Sequence, residues 1–338
     1  MSPFIIAIIL FAITYVLLFT LPKARSYIAL CSAVIFSVWL TFFCADIEFG
    51  LGTIVGAIDF NILMMIAGTM GIVTLFIESK MPMRIADVML SKFKNVKMAI
   101  VAMAVLSGVV SAFVDNVATV LMIAPIALAV CKKQNMSPVP AIISIAVSSN
   151  LQGAATLVGD TTAIMLGSAL DMSFLDFIFY DGKPGMFFMV ELGAVLSACI
   201  VYFTFRNDKG AIPKSGKMTE VEDMVPTVLL VGAIVLLIVA SFLPFEMPAE
   251  TNGLICFTLL IIGLIYNYAK KKNLDAIMGP LKAIDFETLG LLVGLFLMIG
   301  GISNMGVIDA LAQLLAKLGV GNPFLMYTII VWASVLIS

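Results

Sequence analysis

The sequence of 338 residues contains no histidine and little charge, since Asp, Glu, Lys and Arg together make up only 12% of it. Without histidine, the chain lacks the commonest metal ligand and the usual proton shuttle, so any proton chemistry falls to carboxylates or lysines. No basic motif indicates nucleic-acid binding. The five cysteines lie in or beside apolar segments without metal-ligand or disulfide spacing, and we interpret them as small packing residues.

Apolar residues are abundant instead, at 62% of the chain. Soluble domains contain roughly half apolar residues and a quarter charged ones, so lipid is the solvent that fits this composition. A helix needs roughly 20 apolar residues to span a bilayer, and the pattern predicts an all-α polytopic membrane protein. The predicted spans are 3–21, 27–44, 53–77, 141–170 (interrupted), 186–205, 226–244, 251–269 and 286–303, with further apolar stretches at 98–131 and 324–338.

The basic residues indicate which connections face the cytoplasm, because positively charged loops stay on that side of the membrane. All but two of the 19 Lys and Arg residues lie in alternate connections, and acidic residues dominate the connections between them. This pattern predicts a multi-pass protein of the cell inner (plasma) membrane with its N-terminus outside. The basic connections are 22–26, 78–98, the Lys132-Lys133 pair, 206–225 and 270–284.

The apolar stretch 98–131 is too long for one span and has basic residues at both ends. Both ends are therefore predicted to face the cytoplasm, so the chain must enter the membrane and return. A re-entrant hairpin with a polar tip at 113–117 satisfies this requirement, since non-helical backbone at membrane depth is tolerated where protein buries it or water reaches it. The alternative is two complete short spans joined by an outside turn at Asp115 and Asn116.

Two segments of the chain repeat the same order of features. Residues 59–78 and 285–304 both open with Asp-Phe, and Gly68 and Gly294 occupy the same place in each. The loop charges make these segments run in opposite directions, which predicts the inverted repeat of a secondary transporter. The predicted organisation is 1–52 as N-terminal helices, 53–205 as the first repeat, 206–225 as a cytoplasmic linker, 226–285 as connecting helices and 286–338 as an incomplete second repeat.

Polar residues interrupt the apolar pattern at two places. The first is the hairpin tip, 111–119, and the second is 148–162, which is too polar and too rich in glycine for a continuous helix facing lipid. An unwound segment within 141–170 fits the second, with carbonyl and hydroxyl oxygens free to coordinate Na⁺. Ionisable side chains inside a membrane are functional candidates by default, which singles out Asp115 and Asp160. The alternative is that each carboxylate only caps the start of a half-helix.

The string SAFVDNVATVLMIAP at 111–125 resembles the signature of the ion transporter superfamily. The branch that it resembles contains arsenite permeases, NhaD-type Na⁺/H⁺ antiporters, citrate permeases and the pink-eyed dilution protein. The string SSNLQGAATLVGDTTAIML at 148–166 is similar to the second signature of that branch, in which a glycine-rich break leads into Gly-Asp-Pro-Pro-Asn. Gly159 and Asp160 match, whereas Thr161-Thr162-Ala163 replaces Pro-Pro-Asn, which leaves the substrate class open.

The resemblance implies a fold, a mechanism and a set of site residues. A re-entrant hairpin and an unwound helix from each repeat would enclose the site, and transport would proceed by alternating access, often in homodimers with an elevator-like moving domain. No cofactor is implied beyond H⁺ or Na⁺ as the coupling ion, and the expected partners are a small inorganic ion or small organic anion and the lipid bilayer. Because the second hairpin signature would follow directly after Ser338, we expect the chain to be truncated there. The residues expected to bind ion or substrate are Asp115, Asn116, Thr119, Asn150, Gly153, Thr156, Gly159, Asp160 and Thr161, with Asp115, Asn116 and Asp160 as ligands of Na⁺.

The leading functional hypothesis is secondary transport of a small ion coupled to H⁺ or Na⁺, and no enzyme activity is expected. Cation exchange, arsenite or oxyanion export and citrate or dicarboxylate uptake all fit it. No Lys or Arg is predicted at midplane depth to neutralise an anion, which favours cation exchange, although helix dipoles could do the same. A remote alternative is an intramembrane aspartyl protease, but Val114 precedes Asp115, and Leu157 replaces the first glycine of its Gly-x-Gly-Asp motif. A passive channel, which needs no counter-ion gradient, is a third class.

Overall fold

In a computed structural model, the described residues form α-helices joined by short connections and one two-stranded antiparallel β-hairpin. The described residues are 3–43, 51–93, 95–134, 136–206, 210, 218–243, 248–318 and 322–337. The helices are α1 (Pro3–Thr20), α2 (Arg25–Phe43), α3 (Leu51–Gly56), α4 (Phe60–Glu78), α5 (Met81–Ser91), α6 (Val96–Ser111), α7 (Asn116–Lys133), α8 (Val139–Gly153), α9 (Thr161–Ala169), α10 (Met186–Thr204), α11 (Val225–Ser241), α12 (Thr251–Lys271), α13 (Asp275–Lys282), α14 (Phe286–Asn304), α15 (Val307–Leu318) and α16 (Pro323–Ile337). The strands are β1 (Phe179–Tyr180) and β2 (Lys183–Pro184).

The helices confirm an all-α polytopic membrane protein. Among the described residues, five segments are long and apolar enough to cross a bilayer. Large apolar side chains lie exposed on these and the shorter helices, such as Phe42 at 76% and Ile200 at 66%. Lipid is the surrounding that stabilises such a surface. The five segments are Pro22–Phe42, Phe60–Glu78, Met186–Thr204, Thr251–Lys271 and Phe286–Asn304.

The predicted span 53–77 is wrong at its start, because the structure divides it. The short helix α3 ends at Gly56, and α4 begins only at Phe60. Glycine is a poor helix former, which is consistent with a helix end at this position. The membrane-length helix is therefore α4 alone.

The two other long apolar stretches are interrupted near the polar clusters. In the first, α6 and α7 are separated by the non-helical residues 112–115. In the second, α8 and α9 are separated by 154–160, in agreement with the interruption predicted within 141–170. The choice between a re-entrant hairpin and two short spans stays a prediction.

The described helices group into two compact units, and this grouping differs from the linear division predicted from the sequence. One unit combines 1–59 with 286–338, and the other consists of 60–285. Helices from the two ends of the chain pack together in the first unit, and the division into repeats stays a prediction. The boundaries at 59 and 286 coincide with the starts of α4 and α14, the two helices of the repeated segments.

Each unit contains one closely packed helix pair. In the first unit, α14 packs along α2, and a Cβ atom on Gly294 would lie only 2.5 Å from the carbonyl carbon of Ala29. In the second unit, α12 packs along α4, and a Cβ atom on Gly68 would lie 2.5 Å from the carbonyl carbon of Cys256. Gly68 and Gly294 occupy the same place in the repeated segments, so the two glycines serve the same kind of close backbone approach. The inverted orientation of the repeats in a membrane stays a prediction.

The second unit brings the hairpin tip next to the interrupted helix. Helices α6, α7, α8 and α10 pack as one bundle around apolar side chains that include Ile100, Met103 and Ile145. Helix α4 packs with α11, α12 and α13, and α9 lies against α4. Closer to the tip, the α6–α8 contact becomes polar, as the hydroxyl of Ser107 donates to the carbonyl of Ile145 at 3.0 Å. The two non-helical segments thus meet beside α4.

Candidate functional site

The hairpin tip ends in a capped helix start at Asp115. Its Oδ2 atom accepts a hydrogen bond at 3.0 Å from the backbone N–H of Ala118, so the side chain caps α7. Capping, which the sequence left open as an alternative, is thus realised at this residue. The cap occupies one carboxylate oxygen, and a carboxylate has acceptor capacity left for an ion.

Asp160 precedes α9 in extended backbone and makes no side-chain cap. Its Oδ2 atom accepts a hydrogen bond from the hydroxyl of Thr162 at 3.1 Å and a longer one from Nδ2 of Asn116 at 3.5 Å. The capping alternative therefore does not describe this carboxylate. Its contacts join the interrupted helix to the hairpin tip.

Asn116 connects the tip to two further segments. Its Oδ1 atom accepts from the hydroxyl of Ser111 at 3.1 Å, and its Nδ2 atom donates to Oδ1 of Asn150 at 3.1 Å. Its backbone carbonyl accepts from the hydroxyl of Ser149 at 3.2 Å. These bonds hold α6, α7 and α8 together at the site.

Two glycines allow close packing at the site, Gly159 in the break and Gly153 at the end of α8. A Cβ atom on Gly159 would lie 2.5 to 2.9 Å from the carbonyl oxygens of Gly153, Ala112 and Ser111. A Cβ atom on Gly153 would meet Oδ1 of Asn116 at 2.4 Å. The hydroxyl of Thr156 donates to the carbonyl of Ala112 and ties the break to the tip. Only glycine allows backbone segments to approach this closely.

A small cleft, open in part to solvent, lies between these segments and α4. One wall carries the two carboxylates of Asp115 and Asp160. The other wall is a stripe on α4 that sequence reasoning missed. An apolar stripe at this spacing is the only sequence signal, and it does not distinguish a cleft wall from a lipid-facing surface. The lining residues are Ile66, Thr69, Met70, Val73, Asp115, Val158, Gly159, Asp160, Thr161 and Ile164.

The charge of the cleft wall is entirely acidic. The lining contains two carboxylates and no Lys or Arg. Within the described ranges, the ion pairs of the chain lie elsewhere, and neither Asp115 nor Asp160 takes part in one. Nor does the described part of the chain contain a cluster of three or more His, Cys, Asp or Glu that could hold a metal ion. Two carboxylates with carbonyl and hydroxyl oxygens are a donor set for a proton or a hard cation and not for a transition metal.

The structure brings the predicted site residues close together, but only some of them line the cleft. Asp115, Gly159, Asp160 and Thr161 line the cleft. Asn116, Asn150, Gly153 and Thr156 do not line it, but their hydrogen bonds and close packing connect the hairpin tip, α8 and the break. Thr119 is fully buried and does not line the cleft, and its hydroxyl has no hydrogen-bond partner in the part of the chain that the structure describes.

Known proteins resemble this chain over most of its length. A family model described as citrate transporter matches residues 3–338. An uncharacterized transporter of Mycobacterium tuberculosis is 28% identical over 308 residues, which cover 87% of this chain and 70% of the relative. A 46 kDa membrane protein of Mycobacterium leprae is 27% identical over 337 residues, covering 99% of this chain and 76% of the relative. The magnetosome protein MamN of Magnetospirillum gryphiswaldense is 25% identical over 244 residues, covering 70% and 53%.

Proposed function

The chain belongs to the citrate transporter family of membrane permeases, and we propose that it is a secondary active transporter whose coupling cation binds in the cleft. The cation is H⁺ or Na⁺, and Asp115 and Asp160 are its anionic ligands. The observation that carries this proposal is the pair of carboxylates on one wall without a basic residue in the lining. The family and the names of the relatives indicate a permease and not an enzyme, so the protease alternative is set aside.

An unpaired carboxylate inside a membrane protein has an energetic reason to bind a cation. A charged side chain costs several kcal/mol at membrane depth unless a counter-charge or a proton neutralises it. Asp160 has only neutral partners, the Thr162 hydroxyl and the Asn116 amide. A bound Na⁺ or a proton removes this cost. Release of the cation restores it, and this difference couples cation binding to the conformation of the site.

Alternating access is the mechanism that we propose for the cleft. Its two walls come from different packing groups of the second unit, since α4 packs on α12 and the opposite wall belongs to the hairpin bundle and α9. The α4 wall is mostly apolar, with Ile66, Met70 and Val73. Contact between apolar side chains is non-directional, so movement of the polar wall past them would break no hydrogen bonds to these three side chains.

The transported substrate is proposed to be a small carboxylate that enters together with the coupling cation. The family description supports a citrate-like anion. The start of α7, an 18-residue helix capped by Asp115, adjoins the cleft, and helix N-termini favour anions. Cation exchange is the second candidate, and the acidic lining favours it, because two unneutralised carboxylates repel a free anion.

The experiment that tests the proposal is Asp160→Asn in proteoliposomes. Asparagine keeps the size and the hydrogen-bond acceptor but removes the charge. We expect flux driven by a Na⁺ or H⁺ gradient to fall by about 100-fold, equivalent to ~2.7 kcal/mol. Asp176→Asn is the matched control, because Asp176 caps a turn outside the cleft, where it accepts from the N–H and hydroxyl of Ser173 at 2.7 Å. Undiminished driven flux in Asp160→Asn would remove the carboxylate from the mechanism.

The same vesicles separate the substrate candidates. Uptake of labelled citrate that follows an imposed Na⁺ or H⁺ gradient supports carboxylate transport. Movement of protons against an imposed Na⁺ gradient without any organic anion supports cation exchange. Flux of either kind that needs no counter-ion gradient indicates a passive channel and contradicts secondary transport.

A further inference from the structure

The α4 wall of the cleft contributes one hydroxyl group among apolar side chains. Thr69 lines the cleft with Ile66, Met70 and Val73, and the carboxylates of Asp115 and Asp160 belong to the same lining. Threonine at this position is not required for packing against α12, because that contact uses Gly68 and Gly71. Thr69 is thus the one hydroxyl residue that α4 contributes to the cleft lining.

Hydrogen bonding within α4 determines whether this hydroxyl can donate or accept a further bond. The Oγ1 atom of Thr69 donates to the carbonyl of Met65 at 2.8 Å and lies 3.2 Å from that of Ile66. A hydroxyl has one donor and two acceptor lone pairs, so this bond uses the donor and leaves the lone pairs. The α4 wall thus presents an oxygen that can only accept, which suits a cation.

The oxygen is held by a rigid helix. A Cβ atom on Gly68 would lie 2.5 Å from the backbone of Cys256, and one on Gly71 would lie 2.4 Å from the side chain of Leu260. Close backbone contact on the far face of α4 fixes the helix against α12. Thr69 is fixed by α4, whereas the carboxylates belong to the interrupted backbone of the opposite wall.

From this arrangement we propose that Thr69 supplies an oxygen ligand for Na⁺ from the α4 wall, opposite the carboxylates of Asp115 and Asp160. The proposal rests on the proposed function in its Na⁺-coupled form. A hydroxyl, carbonyl oxygens and carboxylates form the hard oxygen shell that Na⁺ requires. In this proposal, a bound Na⁺ contacts both walls of the cleft.

The test replaces Thr69 with residues of graded chemistry. Thr69→Val keeps the shape and removes the oxygen, Thr69→Ala removes it with less bulk, and Thr69→Ser retains it. We expect the Na⁺ concentration for half-maximal flux to rise about tenfold in the first two variants, equivalent to ~1.4 kcal/mol, and to stay within about twofold in Thr69→Ser. The matched control is Thr74→Val, because Thr74 makes the same kind of bond to Met70 at 2.9 Å and does not line the cleft.

A second readout does not depend on transport. Na⁺ should raise the thermal unfolding temperature of the purified protein, and this rise should need a higher Na⁺ concentration in Thr69→Val than in Thr74→Val. Li⁺ and K⁺ at equal ionic strength serve as controls for general salt effects.

The outcomes distinguish this proposal from the proposed function. Unchanged Na⁺ dependence in Thr69→Val and Thr69→Ala, with flux lost in Asp160→Asn, would overturn the role of Thr69 alone. Flux that follows a proton gradient and ignores Na⁺ would overturn that role and keep the proposed function in its H⁺-coupled form. Full flux in Asp160→Asn with a shifted Na⁺ dependence in Thr69→Val would keep the Thr69 ligand and contradict the proposed function.

Discussion

Two pairs of carboxylates in the second unit have opposite surroundings. Glu222 and Asp223, at the end of the predicted cytoplasmic linker, contact lysines: Lys80 is 2.5 Å from Glu222, and Lys270 is 2.7 Å from Asp223. Asp115 and Asp160, in the cleft, contact only neutral groups through the hydrogen bonds described above. The carboxylates of the linker are neutralised by lysines of the protein, whereas those of the cleft are left for a ligand.

The ionisation of the linker pair shows what such partners do. The hydrogen bond from Lys80 holds the pKa of Glu222 below its ordinary value of 4.5. For Asp223, burial acts to raise the pKa, but the hydrogen bonds from Lys270 and the Val225 N–H outweigh it and lower the pKa. Both carboxylates therefore stay charged and paired with their lysines throughout the physiological pH range. These ion pairs attach the linker to α12 and to the segment that follows α4.

The largest effect is expected when the backbone that positions the cleft carboxylates is distorted. Gly159→Ala places a Cβ atom within 2.9 Å of three carbonyl oxygens, so the break must open. We expect a loss of about 1–3 kcal/mol in the free energy of unfolding, as for overpacked cores, together with loss of driven flux. Thermal unfolding in detergent and flux in proteoliposomes measure the two effects.

Gly232→Ala provides the control for this substitution. Gly232 lies in α11, and a Cβ atom there would meet nothing within 4 Å. Alanine is the better helix former by up to about 1 kcal/mol, so stability should stay equal or rise. Equal stability and flux in Gly159→Ala and Gly232→Ala would show that the tight backbone packing at the break is unnecessary.

Asp115→Asn separates the two roles of the hairpin-tip carboxylate. Asparagine caps a helix about as well as aspartate, so the cap on Ala118 and the thermal stability should be retained within about 0.5 kcal/mol. The charge is lost, and we expect driven flux to fall by about 30-fold, less than in Asp160→Asn because Asp115 shares its carboxylate with the cap. Asp115→Ala removes the cap as well and should also lower the unfolding temperature. Normal flux in Asp115→Asn would leave capping as the whole role of this residue.

The interrupted segments could be predicted from the sequence, whereas the helix that lies beside them could not. The glycines and hydroxyl residues of 148–162 do not suit a continuous lipid-facing helix, so the break between α8 and α9 followed from local chemistry. The wall on α4 was missed, because Ile66, Met70 and Val73 look the same whether they face lipid or a cleft.

Helix contacts between segments that lie far apart in sequence could not be predicted either. Nothing local relates α2 to α14 or α4 to α12, which are separated by roughly 200 or more residues along the chain, so the two units could not be predicted from chain order. The repeated glycines Gly68 and Gly294 were visible as a pattern, but their function in close helix packing emerged only from the structure. The role of Asn116 as an ion ligand stays a prediction, and the structure adds that its hydrogen bonds connect three helices.

The smallest expected effect concerns the linker pair, and it sharpens the contrast with the cleft. Asp223→Asn removes the charge that faces Lys270, which is 45% exposed and therefore screened by solvent. We expect a loss of at most about 1 kcal/mol in unfolding free energy, reduced in high salt, and unchanged driven flux.

The pH dependence of this linker interaction has a definite sign. Because the pKa of Asp223 is lowered, its contribution to stability is complete above its ordinary value of 3.8 and declines only as the pH falls through the lowered pKa. The stability difference between the unsubstituted chain and Asp223→Asn should therefore stay constant from about pH 5 to pH 8 and shrink below about pH 4. Unfolding temperatures measured across this range check the prediction. A loss of flux in Asp223→Asn comparable to that in Asp160→Asn would mean that the linker carboxylates also take part in transport, and the distinction between the two pairs would not hold.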